Sequence, residues 1–150
     1  MKSSNKDYNL ERFKIAQDKC YHKVKAELST ERKLTHWMWY IFPQVYGLGQ
    51  SATAQFYSIK SLPEANAYWR DPLLAGRLKE CCQLLIDARE TNITKIMGSP
   101  DDLKLCSSMT LFDHVIDNNS VFKLVLEKYY NASADPLTLE KIASWNAASE

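Results

Sequence analysis

Three times in this chain a residue able to cap a helix stands directly before proline, at Asp71-Pro72, Ser99-Pro100 and Asp135-Pro136. Each pair reads as a helix start. The cap side chain accepts from a free first-turn amide, worth about 1 kcal/mol, while proline takes a first-turn position that needs no donor. Ser61 followed by Glu64 adds a capping box around Pro63.

Between these starts apolar residues recur at helical spacing. Leu10, Phe13, Cys20, Val24 and Leu28 form one stripe of a first helix that begins after Asn9 and breaks at Ser29 and Thr30. The run His36 to Phe42, behind Thr35 as cap, is apolar almost all round, which predicts a short buried helix. A loop from Gln44 to Gln50 carries Gly47 and Gly49, whose backbones reach angles closed to other residues, and Ser51 caps a short helix after it. Leu74, Leu78, Cys81 and Leu85 mark a long helix from Pro72 to about Arg89, and Thr91 to Gly98 fits one or two turns stopped by glycine. Further helices run from Pro100 to about Ile116, Ser120 to Tyr130 and Pro136 to about Ala147. No segment alternates strictly between hairpin turns, so no strand is assigned. The expected fold is all-α: one compact orthogonal domain over residues 1–150, with about seven to nine helices and no sheet. Residues 1–8 read as a flexible tail and 147–150 as a frayed end.

A chain of 150 residues, 45% hydrophobic and 25% charged, is long and apolar enough to fold around one core. Nineteen Lys and Arg oppose eighteen Asp and Glu without a long basic block, so nucleic acid is not an expected partner. The N-terminus lacks the apolar core of a signal peptide, and the longest strictly apolar run, Trp37 to Phe42, stops at Pro43. Such a chain is expected in the cytoplasm rather than at a membrane. Cys20, Cys81, Cys82 and Cys106 show no CxxC spacing and read as reduced thiols. With the histidines scattered, neither a metal nor another cofactor is expected.

Functional residues are sought where the helical pattern is broken. On a helical wheel Gln17 falls inside the apolar stripe of the first helix. In the helix after Ser99 the stripe is Leu105, Met109, Phe112, Val115 and Ile116; Asp101 and Ser108 lie on it, Lys104 lies at its edge, and Asp102, Thr110, Asp113 and His114 fall away. A carboxylate turned inward needs donors, a cation, water or a ligand, so Asp101 stands out. The plain alternative is that Asp101 and Asp102 oppose the positive end of the helix, with Lys104 an ion-pair partner one turn on. Gln17 is equally readable as a buried amide tying helices together. A first-turn histidine beside tryptophans, such as His36, is commonly a packed residue. Ser107 or Ser108 beside Lys104 lacks the strained elbow of a serine hydrolase, and Cys106 would need a base from elsewhere.

The stretches HWMWYIFPQ with GLGQS, and GSPDDLKLCSSMTLF, resemble the bacterial family catalogued as domain of unknown function 1810. RFKIAQ, SLPEANAYWRDPLLAGRL and DPLTLEKI extend the resemblance over nearly the whole chain. It implies an all-helical single domain and brings no established activity. Members often carry the label calpastatin, which belongs to a largely disordered inhibitor and does not suit this composition. The family pattern has arginine where this chain has Cys106, which removes any anion-binding role that arginine has.

Two functions fit these residues. In the first, a pocket between the HWMWYIFPQ and glycine-loop segment and the helix after Ser99 binds or processes a small polar or nucleotide-like metabolite. Asp101 then acts as the catalytic residue, a general base for hydrolysis by analogy with other helical enzymes. Lys104 meets an anionic group, Gln17 and Gln44 orient the ligand, and His36, Trp39, Gly47, Gly49 and Ser108 complete the pocket. In the second, the chain is a protein-interaction module without catalysis, and its aromatic residues anchor a partner. The oligomeric state is left open.

Overall fold

A computed structural model of the chain describes residues 7–116 and 120–148. Among these residues ten helices follow one another: α1 (Glu11–Asp18), α2 (Tyr21–Ser29), α3 (Met38–Ile41), α4 (Ala52–Tyr57), α5 (Leu62–Arg70), α6 (Pro72–Asp87), α7 (Ile93–Met97), α8 (Asp101–Val115), α9 (Val121–Tyr130) and α10 (Pro136–Ala148). The fold is all-helical. Its extended pairing among the described residues is one parallel bridge between Val45 and Ile59. The expected tail and frayed end lie largely outside the described residues, although the Tyr8 carbonyl is held by Arg12 at 2.7 Å.

The count exceeds the expectation because the first helix is two. Cys20, at φ −142° and ψ 3°, breaks the run between α1 and α2. The apolar stripe survives the break, since Phe13, Val24 and Leu28 are all buried. Spacing alone therefore concealed the kink.

Most expected caps form. The Asp71 carboxylate accepts from Leu73 and Leu74 amides, Asp135 from Thr138, Ser51 from Ala54 and Ser120 from Lys123. Two do not. Thr35 turns its hydroxyl to Glu27 at 2.7 Å, and α3 starts only at Met38, without a side-chain cap. Ser99 caps nothing: α8 starts at Asp101, and the Asp102 and Lys104 amides reach the carbonyls of Gly98 and Pro100. At α5 the Ser61 hydroxyl accepts from the Glu64 amide, yet the Glu64 carboxylate reaches back to the Lys60 amide and pairs with Arg12 at 2.8 Å. Arg12 also donates to the carbonyls of Phe56, Tyr8, Asn9 and Ser58, so this buried cation is saturated.

Helix α8 runs through the middle of the fold, against α5, α7, α9 and α10. Leu105, Met109, Leu111 and Phe112 are buried, and so are Ser107, Ser108 and Thr110. Around Ser107, Ser108 and Thr110 the helix is covered by its neighbours and leaves these polar residues no solvent face. Thr110, expected to point away, instead donates to the Cys106 carbonyl at 2.8 Å and accepts from the Asp135 amide at 2.9 Å. The Phe112 ring lies 5.3 Å from Tyr68 and 5.6 Å from Phe122, and Tyr68 meets Phe13 edge-on at 5.0 Å. Each such buried aromatic contributes roughly 1.5–3 kcal/mol by leaving water. The four cysteines are free thiols. Among the described residues no helix is long and apolar enough to cross a membrane.

Candidate functional site

The inward polar residues found by the helical wheel are mostly spoken for. The Gln17 carboxamide donates to the Tyr40 carbonyl at 2.7 Å and the Tyr68 hydroxyl at 3.1 Å, and accepts from Arg77 at 3.2 Å. It ties α1 to α3, α5 and α6. Asp101 faces the Lys33 ammonium at 2.8 Å and Lys104 at 3.8 Å. The Ser108 hydroxyl is fully buried, with no partner among the described residues. His36 is exposed, and its carbonyl accepts from the Tyr40 hydroxyl at 3.3 Å. The Lys104 ammonium sits 5.6 Å from the centre of the Trp39 ring.

The two loop glycines serve different ends. Gly47 holds φ +102°, in the left-handed region, and a Cβ there would come within 2.8 Å of the Lys141 ammonium. Gly49 is needed for space, since a Cβ there would stand 2.5 Å from that of Ala54 in α4. Between them Leu48 is directed into a cleft of about 520 Å³. Gln44 and Leu48 form one wall of this cleft, the first half of α8 a second, and the segment from Tyr130 to Leu137 a third. The cleft thus joins the two long motifs of the sequence, but Gln17, His36, Trp39, Gly47, Gly49, Asp101 and Ser108 do not line it. Gln44 uses its backbone carbonyl to accept from the Ile59 amide at 2.8 Å, and its carboxamide has no partner among the described residues. Leu103 and Leu137, 65% and 59% exposed, face the cleft from α8 and α10.

A family model described as protein of unknown function (DUF1810) matches residues 7–142. The chain belongs to this family. A solved structure, the conserved hypothetical protein Rv1873 from Mycobacterium tuberculosis, shares 47% identity with it over 91% of this chain and 97% of that one, at a TM-score of 0.89. No curated protein matches. The DUF1810 fold is therefore shared with an experimental structure, and neither description names an activity.

The reactive groups of this DUF1810 cleft are quiet. Burial, then the nearby Asp135 carboxylate, pushes the Cys106 thiol up to about 11, so it stays protonated and weakly nucleophilic at neutral pH. Burial likewise raises Tyr130, whose hydroxyl donates to the Asp102 carbonyl. The Ser107 hydroxyl shares its one proton between the Leu103 carbonyl at 3.3 Å and Asp135 at 3.0 Å, and no histidine is among the described residues that line the cleft. Asp135, prominent in the sequence as a cap, lines the cleft without having been among the expected site residues, as do Leu48, Leu103 and Leu137. Its second position, against Ser107, links residues far apart in the chain and leaves no local signal.

Proposed function

We propose that this DUF1810 domain binds a small molecule with an apolar body and an anionic head in the cleft between the glycine loop, α8 and the start of α10. The supporting observation is the combination at one place of exposed leucines with the Lys104 ammonium and the uncommitted Gln44 carboxamide. Apolar walls with a few convergent polar groups are the usual make-up of a ligand site. Lys104 meets the anion, Gln44 orients it, and Leu48, Leu103 and Leu137 take up the apolar body.

Hydrolysis with Asp101 as base is not part of this reading. The Asp101 carboxylate is paired with the buried Lys33 ammonium at 2.8 Å, and it lies outside the cleft.

A thermal-shift titration with apolar carboxylates and phosphate monoesters tests the proposal. A binder at a hundred times its dissociation constant adds about 2.7 kcal/mol of stability. The shift is expected in the natural chain and is lost in Lys104→Met; no shift across both sets of compounds refutes it. A second reading, a docking site for a peptide, is favoured by the outward position of Leu103 and Leu137 at the rim.

A further inference from the structure

The donors around Asp135 are unevenly shared between its two oxygens. Oδ2 accepts from the Ser107 hydroxyl at 3.0 Å, the Thr138 amide at 3.1 Å and the Thr138 hydroxyl at 2.6 Å. Oδ1 has no donor, and the carboxylate no cation, among the described residues. Asp135 is half-buried and lines the same cleft as Lys104.

Ser107 stands one helical turn beyond Lys104, and residues so spaced have Cβ atoms about 5–6 Å apart. Both charged residues line the cleft, Lys104 from α8 and Asp135 from the segment ahead of α10, where Ser107 holds it. A ligand that met only Lys104 and laid an apolar body over the rest would cover Asp135 and strand a charged oxygen. Stranding a buried charge costs more than an apolar contact returns. The ligand has to bring a donor of its own, and an ammonium makes the stronger, charge-assisted bond.

We infer that the cleft recognises an apolar α-amino acid, its carboxylate on Lys104 and its ammonium on Oδ1 of Asp135, with the side chain against Leu48, Leu103 and Leu137. This deepens, and rests on, the reading of the cleft as a site for an anionic apolar molecule. An α-amino acid presents both charges on neighbouring groups and extends an apolar chain from the same carbon. Those are the three features that the cleft walls offer.

Leucine, leucic acid and isocaproate share one body and one carboxylate, and differ in bearing an ammonium, a hydroxyl or neither. Calorimetric titration of the full chain with each is the test. Leucine is expected to bind at least about tenfold more tightly than either of the others, the worth of one charge-assisted bond. Asp135→Asn keeps a side chain that caps α10 and is expected to erase that preference. Leucic acid or isocaproate binding as tightly as leucine to the natural chain overturns the inference, whether or not the variant folds. If all three bind alike and Lys104→Met abolishes the binding, the anionic-cleft reading stands without the ammonium. If none of the three binds, both fall.

Discussion

The Lys33 ammonium and the Asp101 carboxylate lie 2.8 Å apart, with only 5% of the lysine side chain exposed, and join the loop after α2 to the start of α8. Lys33 also donates to the Thr35 carbonyl at 2.6 Å and sits 4.9 Å from the centre of the Trp37 ring. Its backbone amide reaches the Ile96 carbonyl at 2.7 Å. Asp101, singled out in the sequence as a carboxylate facing inward, is there to meet this cation.

Asp101→Asn leaves the Lys33 ammonium buried without its counter-charge. Losing one partner of a fully buried pair costs about 3–5 kcal/mol; with Asp101 partly in water, about 2 kcal/mol is expected. Urea unfolding measures it. A loss below about 0.5 kcal/mol, within the range of ordinary surface changes, contradicts the structural role.

Glu27 predicts how the fold responds to acid. Burial opposes its charge, but hydrogen bonds from the Thr35 hydroxyl, the Leu34 and Thr35 amides and the Trp37 indole win, lowering its pKa from 4.5 to about 2. A depressed carboxylate stabilises the fold above its unfolded value, and that contribution is lost as pH falls through the folded one. Stability is therefore expected to decline between pH 4.5 and about 2. Glu27→Gln retains an acceptor for the three N–H donors and removes the titration. The variant's stability curve is expected to be flatter across that window; a parallel curve speaks against this account.

The helical wheel was a good guide where contacts are local. Asp71, Ser51, Ser61 and Ser120 cap the helices that their positions announce, because a cap and its amide lie within three residues. It was blind where partners are remote. Arg12 and Glu64 are 52 residues apart in sequence, and nothing near either marks a buried pair. Thr110 looked solvent-facing on the wheel because the wheel knows one helix, whereas α8 is covered by its neighbours. Of the candidate site, Gln44 and Lys104 reach the cleft and the glycine loop does so through Leu48, while Gln17, His36, Trp39, Gly47, Gly49, Asp101 and Ser108 stand outside it. An inward polar residue announces burial, not a ligand.

Ser108 is the opposite case from Asp101. Its buried hydroxyl has no partner among the described residues, so Ser108→Ala removes a desolvated donor at little packing cost. Unfolding free energy is expected to stay level or rise by about 1 kcal/mol. A loss greater than about 1 kcal/mol would reveal a partner that the structure does not contain.

Lys128 closes the end of α6. Its ammonium donates to the carbonyls of Leu85 at 3.1 Å, Ile86 at 2.9 Å and Ala88 at 2.5 Å, three groups that the helix leaves unpaired. Lys128→Met keeps the stem and strands the Ile86 and Ala88 carbonyls, while Leu85 keeps the Tyr129 hydroxyl at 2.6 Å. Thermal unfolding is expected to show a loss of about 1–3 kcal/mol, and an unchanged midpoint contradicts the capping role.

Amide chemical-shift mapping of the full chain during titration with isocaproate and leucine shows whether the cleft beside Lys104 is a binding site. Saturable shifts are expected at Leu48, Leu103, Lys104 and Leu137, absent in Lys104→Met. Saturable shifts confined to the far side of the molecule, or no saturable shifts with either compound, contradict a binding site there.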